Sequence, residues 1–181
     1  MDLNLLLNDL LLPAHLSETG KILVITGGRG VGKTTFCQKV IEATRASGLK
    51  VAGLLSPGRY ENQKRNGIFA VDLAGGEFRL AASPVAGEID GIRFGAWSFD
   101  STVFEWGNQR LLESGGTDVL VIDELGFLEF DLSTGWRSSF AVLKTKNFRL
   151  ALIVIRPECI ESFTDLGFSF QVKQVLSPPP P

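Results

Sequence analysis

Four glycines and a lysine fall within a dozen residues in VITGGRGVGKTT, residues 24–35, directly behind an apolar run. Gly27 is followed, after four residues, by Gly32, Lys33 and Thr34. Glycine loses more backbone freedom on folding than any other residue, so a cluster of it marks a tight turn or a place where something must approach the backbone. The lysine and the hydroxyl at the last two places favour close approach. Backbone without Cβ atoms can curl its N–H groups around phosphate oxygens, and a helix starting there points its positive end at the same charge. In this pattern Lys33 reaches the β- and γ-phosphates, and the Thr34 hydroxyl ligates Mg2+. Gly27, Gly28, Arg29, Gly30, Val31, Gly32, Lys33, Thr34 and Thr35 are therefore the expected binding loop for the phosphates of a nucleotide such as ATP or GTP. Arg29, inside the loop, faces either a phosphate or water.

VLVIDELG, residues 119–126, is the second chemical cluster. An acidic residue at the C-terminal end of an apolar strand is where a phosphate-loop protein keeps its metal-side carboxylate. Asp123 takes that place and joins Thr34 as an expected metal residue. Glu124 can point toward the γ-phosphate and polarise an attacking water. Glu129 is the next carboxylate in line for that task.

Placing these groups requires strands that end beside one another. KILVIT (21–26) reads as a buried parallel strand, and a helix follows over 33–47 with Phe36, Val40 and Ala43 on one face and Gly48 as its stop. Val51–Leu55 is a second strand. IFAVDLAGGEFRLAAS holds two extended runs around Gly75-Gly76, a dipeptide suited to a primed hairpin turn. A helix is expected over Ser101–Glu113, then the buried strands DVLVIDE and FRLALIVI (148–155). A short helix starts at Pro157, and FSFQVKQVL closes as an alternating strand. Phe94 and Trp97 read as core, with stacking on a nucleobase as the alternative. Strands interleaved with helices predict an α/β, mostly parallel sheet flanked by helices, with an inserted antiparallel hairpin.

The composition bounds the rest. The 181 residues are 44% hydrophobic and 21% charged, with a formal net charge of -2 and a pI near 5.5. That balance argues against a nucleic-acid partner, which calls for a basic patch. Cys37 and Cys159 lie far apart with no metal spacing, and read as reduced, buried thiols of a cytoplasmic protein. His15, the single histidine, excludes a multi-histidine metal site. MDLNLLLNDLLLPAHL carries Asp2 and Asp9 and stops at Pro13. It lacks the basic start of a signal peptide and the roughly 20 apolar residues of a membrane span. Residues 1–20 are expected to form an amphipathic helix, packed on its own domain or docking a second subunit of a homodimer or a protein partner. Residues 21–176 form the nucleotide-binding domain, and 177–181 a proline tail.

The chain resembles the small P-loop nucleoside-triphosphatases called cancer-related or thermophilic. Three stretches carry the likeness: ITGGRGVGKTTFCQKVIEATRASGLKVAGLLSP, ENQKRNGIFAVDLAGGE and VIDELGFLEF. In the second, Glu61, Asn62, Lys64, Arg65, Gly67, Val71, Asp72 and Leu73 stand at matching places. In the third, the Asp-Glu-x-Gly-x-x-Glu signature falls on Asp123, Glu124, Gly126 and Glu129. Phe127 and Leu128 depart from the lysine and methionine of that signature, and Tyr60 stands where an arginine is usual, with Arg59 beside it. The resemblance implies a three-layer P-loop NTPase fold and slow, Mg2+-dependent hydrolysis of ATP, GTP and other nucleoside triphosphates with little base preference. By residue type alone Lys64 and Arg65 on a hairpin arm read as a solvated surface; the resemblance implies instead a lid carrying them, with Arg65 supplying charge to the transition state as a catalytic residue beside Lys33 and Glu124. Two other readings are a P-loop kinase acting on a nucleotide or nucleoside, and a nucleotide-gated interaction protein.

Overall fold

The computed structural model describes residues 20–175. The expected N-terminal helix, His15 and the proline tail lie outside them. In chain order the elements are β1 (Lys21–Thr26), α1 (Lys33–Ala46), β2 (Val51–Leu55), β3 (Gly58–Glu61), β4 (Lys64–Asp72), β5 (Phe78–Ser83), β6 (Ile92–Phe94), β7 (Trp97–Phe99) and α2 (Ser101–Leu112). There follow β8 (Thr117–Leu125), α3 (Phe127–Phe130), α4 (Ser138–Thr145), β9 (Phe148–Ile155), a 3-10 turn (Pro157–Cys159), α5 (Ile160–Asp165) and β10 (Gln171–Gln174).

All ten strands join one sheet in the order β10-β1-β9-β8-β2-β4-β5-β7-β6, with β3 paired to β4. The first five in that order are parallel, and β4 turns antiparallel against β2. The parallel strands are continuous apolar runs because both of their faces are covered. Along β1, Ile22 and Val24 face the cluster shared with α2, α4 and α5, whereas Leu23 and Ile25 face the cluster shared with α1. The same period of two sorts Leu120 and Ile122 from Val119 and Val121 on β8, and Ala151 and Ile153 from Leu150 and Leu152 on β9. The result is three layers, helices on each side of the sheet.

β2 comes so close to β8 that a Cβ on Gly53, at φ 107°, would fall onto the Val121 carbonyl oxygen. Only glycine fits there. On α1 the buried face is Cys37, Val40, Ile41 and Thr44, with Phe36 and Ala43 at its margins. Asp100 caps α2 by accepting from the Thr102 and Val103 amides.

The insertion between β2 and α2 is larger than the expected hairpin. It contains β3 to β7, the whole antiparallel half of the sheet. Its Gly75-Gly76 turn is also longer than the two-residue primed form. Only Gly76 takes a positive φ, and the Asp72 carboxylate organises the loop by accepting from the Ala74 and Gly75 amides. The tight turn of this half lies instead at Asn62-Gln63, where both residues have positive φ. The expectation that Phe94 and Trp97 are core is not met: Phe94 is exposed and Trp97 half-buried, on the edge hairpin β6–β7. Cys37 and Cys159 are buried free thiols, as expected. Among the described residues no helix is long and apolar enough to cross a membrane.

Candidate active site

In an open parallel sheet, ligands bind outside the carboxyl ends of the strands. Here β1 runs into the glycine loop, β8 into Asp123 and Glu124, β2 into Ser56, and β9, between β1 and β8, into Arg156. The loop's glycines do different work. A Cβ on Gly27 would fall onto the Val175 carbonyl oxygen behind β10, so that glycine admits the neighbouring chain. Gly30 and Gly32 have open space around them and are needed for their positive φ, 79° and 95°. Gly32 enters α1 in the left-handed region, without a side-chain cap or an acidic residue in the first turn. The first N–H groups of α1 are thus left for an outside acceptor, and the helix dipole favours an anion.

The Lys33 ammonium donates to the Gly27 and Gly28 carbonyls, each at 2.9 Å, and lies 3.9 Å from Glu124 Oε2. Asp123 is fully buried. Its carboxylate accepts from the Ser56 amide at 3.2 Å, the Thr34 hydroxyl helps hold its charged form, and the Ser56 hydroxyl donates to the Asp123 carbonyl. Burial first, and then the Glu124 charge, push Asp123 up to about 7. A carboxylate held up in this way gains from a nearby cation. Thr34 and Asp123 supply paired hard oxygen donors, the kind Mg2+ takes together with phosphate oxygens and water, so the residues present fit that ion. Among the described residues there is no group of three or more His, Cys, Asp or Glu side chains that could form an all-protein metal cage.

Glu124 sits where the pairing of β8 with β9 shifts register, between Asp123 and Leu125. Its Oε1 accepts from Arg156 Nε at 2.7 Å. Glu129 does something else. At 2% exposure it accepts from the Gly126 amide through Oε2 and from the Trp136 amide through Oε1, both at 2.8 Å. Both oxygens brace the turn after β8, and a Cβ on Gly135 would fall onto one of them. Glu129 is therefore a brace, with each of its oxygens engaged by a backbone amide.

Lys33, Thr34, Asp123 and Glu124 are thus brought together. Arg29, Gly28 and Thr35 are exposed, and Val31 packs beside Gly27. Arg65 stands apart from the four, on β4, with its guanidinium 5.9 Å from the Trp97 ring centre and its Nε buried without a hydrogen-bond partner. Ser56 and Arg156 were missed from sequence. A signal for Arg156 was present: it is a charged residue directly after an apolar strand, the pattern that singled out Asp123.

A family model described as NTPase matches residues 22–174. The chain belongs to that NTPase family. It is similar to nucleoside-triphosphatase THEP1 of Caldivirga maquilingensis, 28% identical over 151 residues, covering 83% of this chain and 85% of the relative. It is also similar to the mouse cancer-related nucleoside-triphosphatase homolog, 33% identical over 114 residues, which span 58% of this chain and 60% of the mouse protein. The solution structure of a human cancer-related nucleoside triphosphatase superposes with a TM-score of 0.66 at 26% identity, covering 86% of this chain and 89% of that one. The crystal structure of THEP1 from Aquifex aeolicus shares the fold at a TM-score of 0.62 and 19% identity, covering 87% and 90%. The fold of the NTPase family is the P-loop NTPase fold described above, a mixed α/β sheet with flanking helices.

Proposed function

We propose that this protein is a nucleoside-triphosphatase that hydrolyses ATP, GTP and related triphosphates to diphosphate and phosphate, slowly, with Mg2+ and with little preference for the base. One observation carries the reading: the Glu124 carboxylate lies 3.9 Å from the ammonium of Lys33, the group that would hold the β- and γ-phosphates. A carboxylate there is within reach of a water attacking the γ-phosphorus.

Catalysis on this reading is positioning and charge neutralisation. Lys33 leaves the Gly27 and Gly28 carbonyls for phosphate oxygens, and the first amides of α1 take up the remaining charge. Thr34 and Asp123 would hold Mg2+, which when bound neutralises charge on the β- and γ-phosphates. Glu124 orients the water and accepts its proton. The Arg65 arm, on the β3–β4 hairpin, swings toward the triphosphate and lends positive charge late in the reaction. The two buried reduced thiols fit a cytoplasmic setting.

Phosphate release from ATP, GTP, CTP and UTP, with and without magnesium and with no acceptor present, tests the reading. Comparable release from all four, dependent on magnesium, is the expected result. Turnover only on addition of a nucleotide or nucleoside acceptor would make the protein a kinase.

A further inference from the structure

Glu124 is held by two cations, one nearest each of its carboxylate oxygens. Its Oε2 faces Lys33 at 3.9 Å, and its Oε1 accepts from Arg156 Nε at 2.7 Å. These contacts differ in kind. Lys33 stays with the phosphates once nucleotide is bound, so Arg156 is then the cation left to hold the carboxylate. A charge-assisted bond at 2.7 Å fixes direction as well as charge.

The fold prepares Arg156 for this. Its amide donates to the Leu125 carbonyl at 3.3 Å, tying the end of β9 to the end of β8. Its side chain then crosses Gly126: a Cβ there would lie 3.1 Å from both Cδ and Nε, so the glycine leaves the passage open. The guanidinium continues over the Phe127 ring, 5.8 Å from its centre, and Phe127 stacks on Phe94 of β6 at 6.2 Å with 28° between the rings. Arg156 thereby rests on an aromatic pair that joins the end of β8 to the edge hairpin of the antiparallel half. The side chain is 49% exposed, and among the described residues its guanidinium donates only through Nε. An exposed pair of this kind contributes little to stability. A purely structural role therefore does not account for so much supporting geometry.

We infer that Arg156 is a positioning residue for hydrolysis, holding the Glu124 carboxylate in line with the attacking water while Lys33 is engaged by phosphate. The inference rests on the reading of Glu124 as the water-orienting carboxylate. Loss of a group that orients a catalytic one costs about 10–100-fold in activity.

The experiment measures kcat, KM, ATP affinity and thermal midpoint for Arg156→Ala, Arg156→Lys, Glu124→Gln and the Arg156→Ala/Glu124→Gln double variant of the full chain. Arg156→Ala is expected to lose roughly 10–100-fold in kcat with KM, affinity and midpoint unchanged. Arg156→Lys, or millimolar guanidinium added to Arg156→Ala, restores part of that loss, because the site is open to solvent. In the Glu124→Gln background Arg156→Ala has no further effect, since the carboxylate it holds is already gone. Full activity in Arg156→Ala beside a collapse in Glu124→Gln overturns this inference alone. An undiminished Arg156→Ala loss in the Glu124→Gln background also overturns it, because Arg156 would then act on the phosphates directly. Full activity in Glu124→Gln overturns the reading of Glu124, and the positioning role with it.

Discussion

In the parallel half of the sheet, Asp123 and Glu129 are 1% and 2% exposed, and burial pushes both up to about 7. In the antiparallel extension, Glu88 stays near the surface, where the Arg59 guanidinium pairs with both its oxygens at 2.7 Å and holds it down to about 2. Glu77 is lowered in the same way by Arg79. The two halves use acidic residues to opposite ends. The extension settles Glu88 and Glu77 at its surface, each with an arginine of its own. The parallel half buries Asp123 and Glu129 with no arginine among the described residues paired to either carboxylate, and at Asp123 a bound cation can exploit that.

The difference can be broken most severely at the seam of the parallel half. Gly53→Ala forces a Cβ onto the Val121 carbonyl at a positive φ. Crowding and backbone strain together should cost about 2–5 kcal/mol, read as a large fall in thermal midpoint or a failure to accumulate folded protein. A midpoint within a few degrees of wild type would mean that β2 and β8 are not locked at this distance.

Titration gives the next largest effect. Asp123 and Glu129 have folded pKa values above their unfolded ones, so between about 4 and 7 the folded state holds more protons than the unfolded chain. Nucleotide-free stability therefore falls as pH rises from about 4 to about 7 and levels off above that. Glu88 has the opposite sign: its contribution is intact above its unfolded value and fades only as pH drops toward 2. Asp123→Asn removes one of the two raised groups and should flatten the fall between pH 5 and 7, a gain on the order of a few kcal/mol at pH 7. The same substitution should abolish magnesium dependence of activity. Thermal midpoints across that range, without nucleotide, would contradict this account if the wild-type and Asp123→Asn curves ran parallel.

The extension yields the smallest effect. Arg65→Ala loses a cation resting on Trp97, so the thermal midpoint should barely move. If the β3–β4 arm closes over the triphosphate, kcat drops by roughly tenfold or more with KM unchanged. Equal kcat values would leave Arg65 as surface of the extension.

What the sequence disclosed follows the same division. Strands buried on both faces announce themselves as long, nearly continuous apolar runs, so Lys21–Thr26 and Phe148–Ile155 were legible to the residue. Lys33, Thr34, Asp123 and Glu124, singled out by residue type and by their places at the start of a helix and the end of a strand, do lie beside one another in the fold. β6 and β7, three residues each, are too short to show a period, and their aromatics pack on other side chains at an edge rather than in the core. α4 has no side-chain cap to mark its start and stops after eight residues. The bracing role of Glu129 was hidden as well, because it depends on the Trp136 amide, which only the folded turn delivers.

The central claim is that Glu124 works on the water and not on the nucleotide. Glu124→Gln keeps the shape of the side chain and removes its charge, while Lys33, Thr34 and Asp123 remain. Paired measurements of ATP affinity and single-turnover phosphate release on this variant test the claim directly. The expected outcome is an ATP-loaded protein with wild-type or slightly tighter affinity, whose release rate falls by about 10²–10⁴-fold, the usual worth of general-base assistance. Phosphate release at the wild-type rate would contradict it.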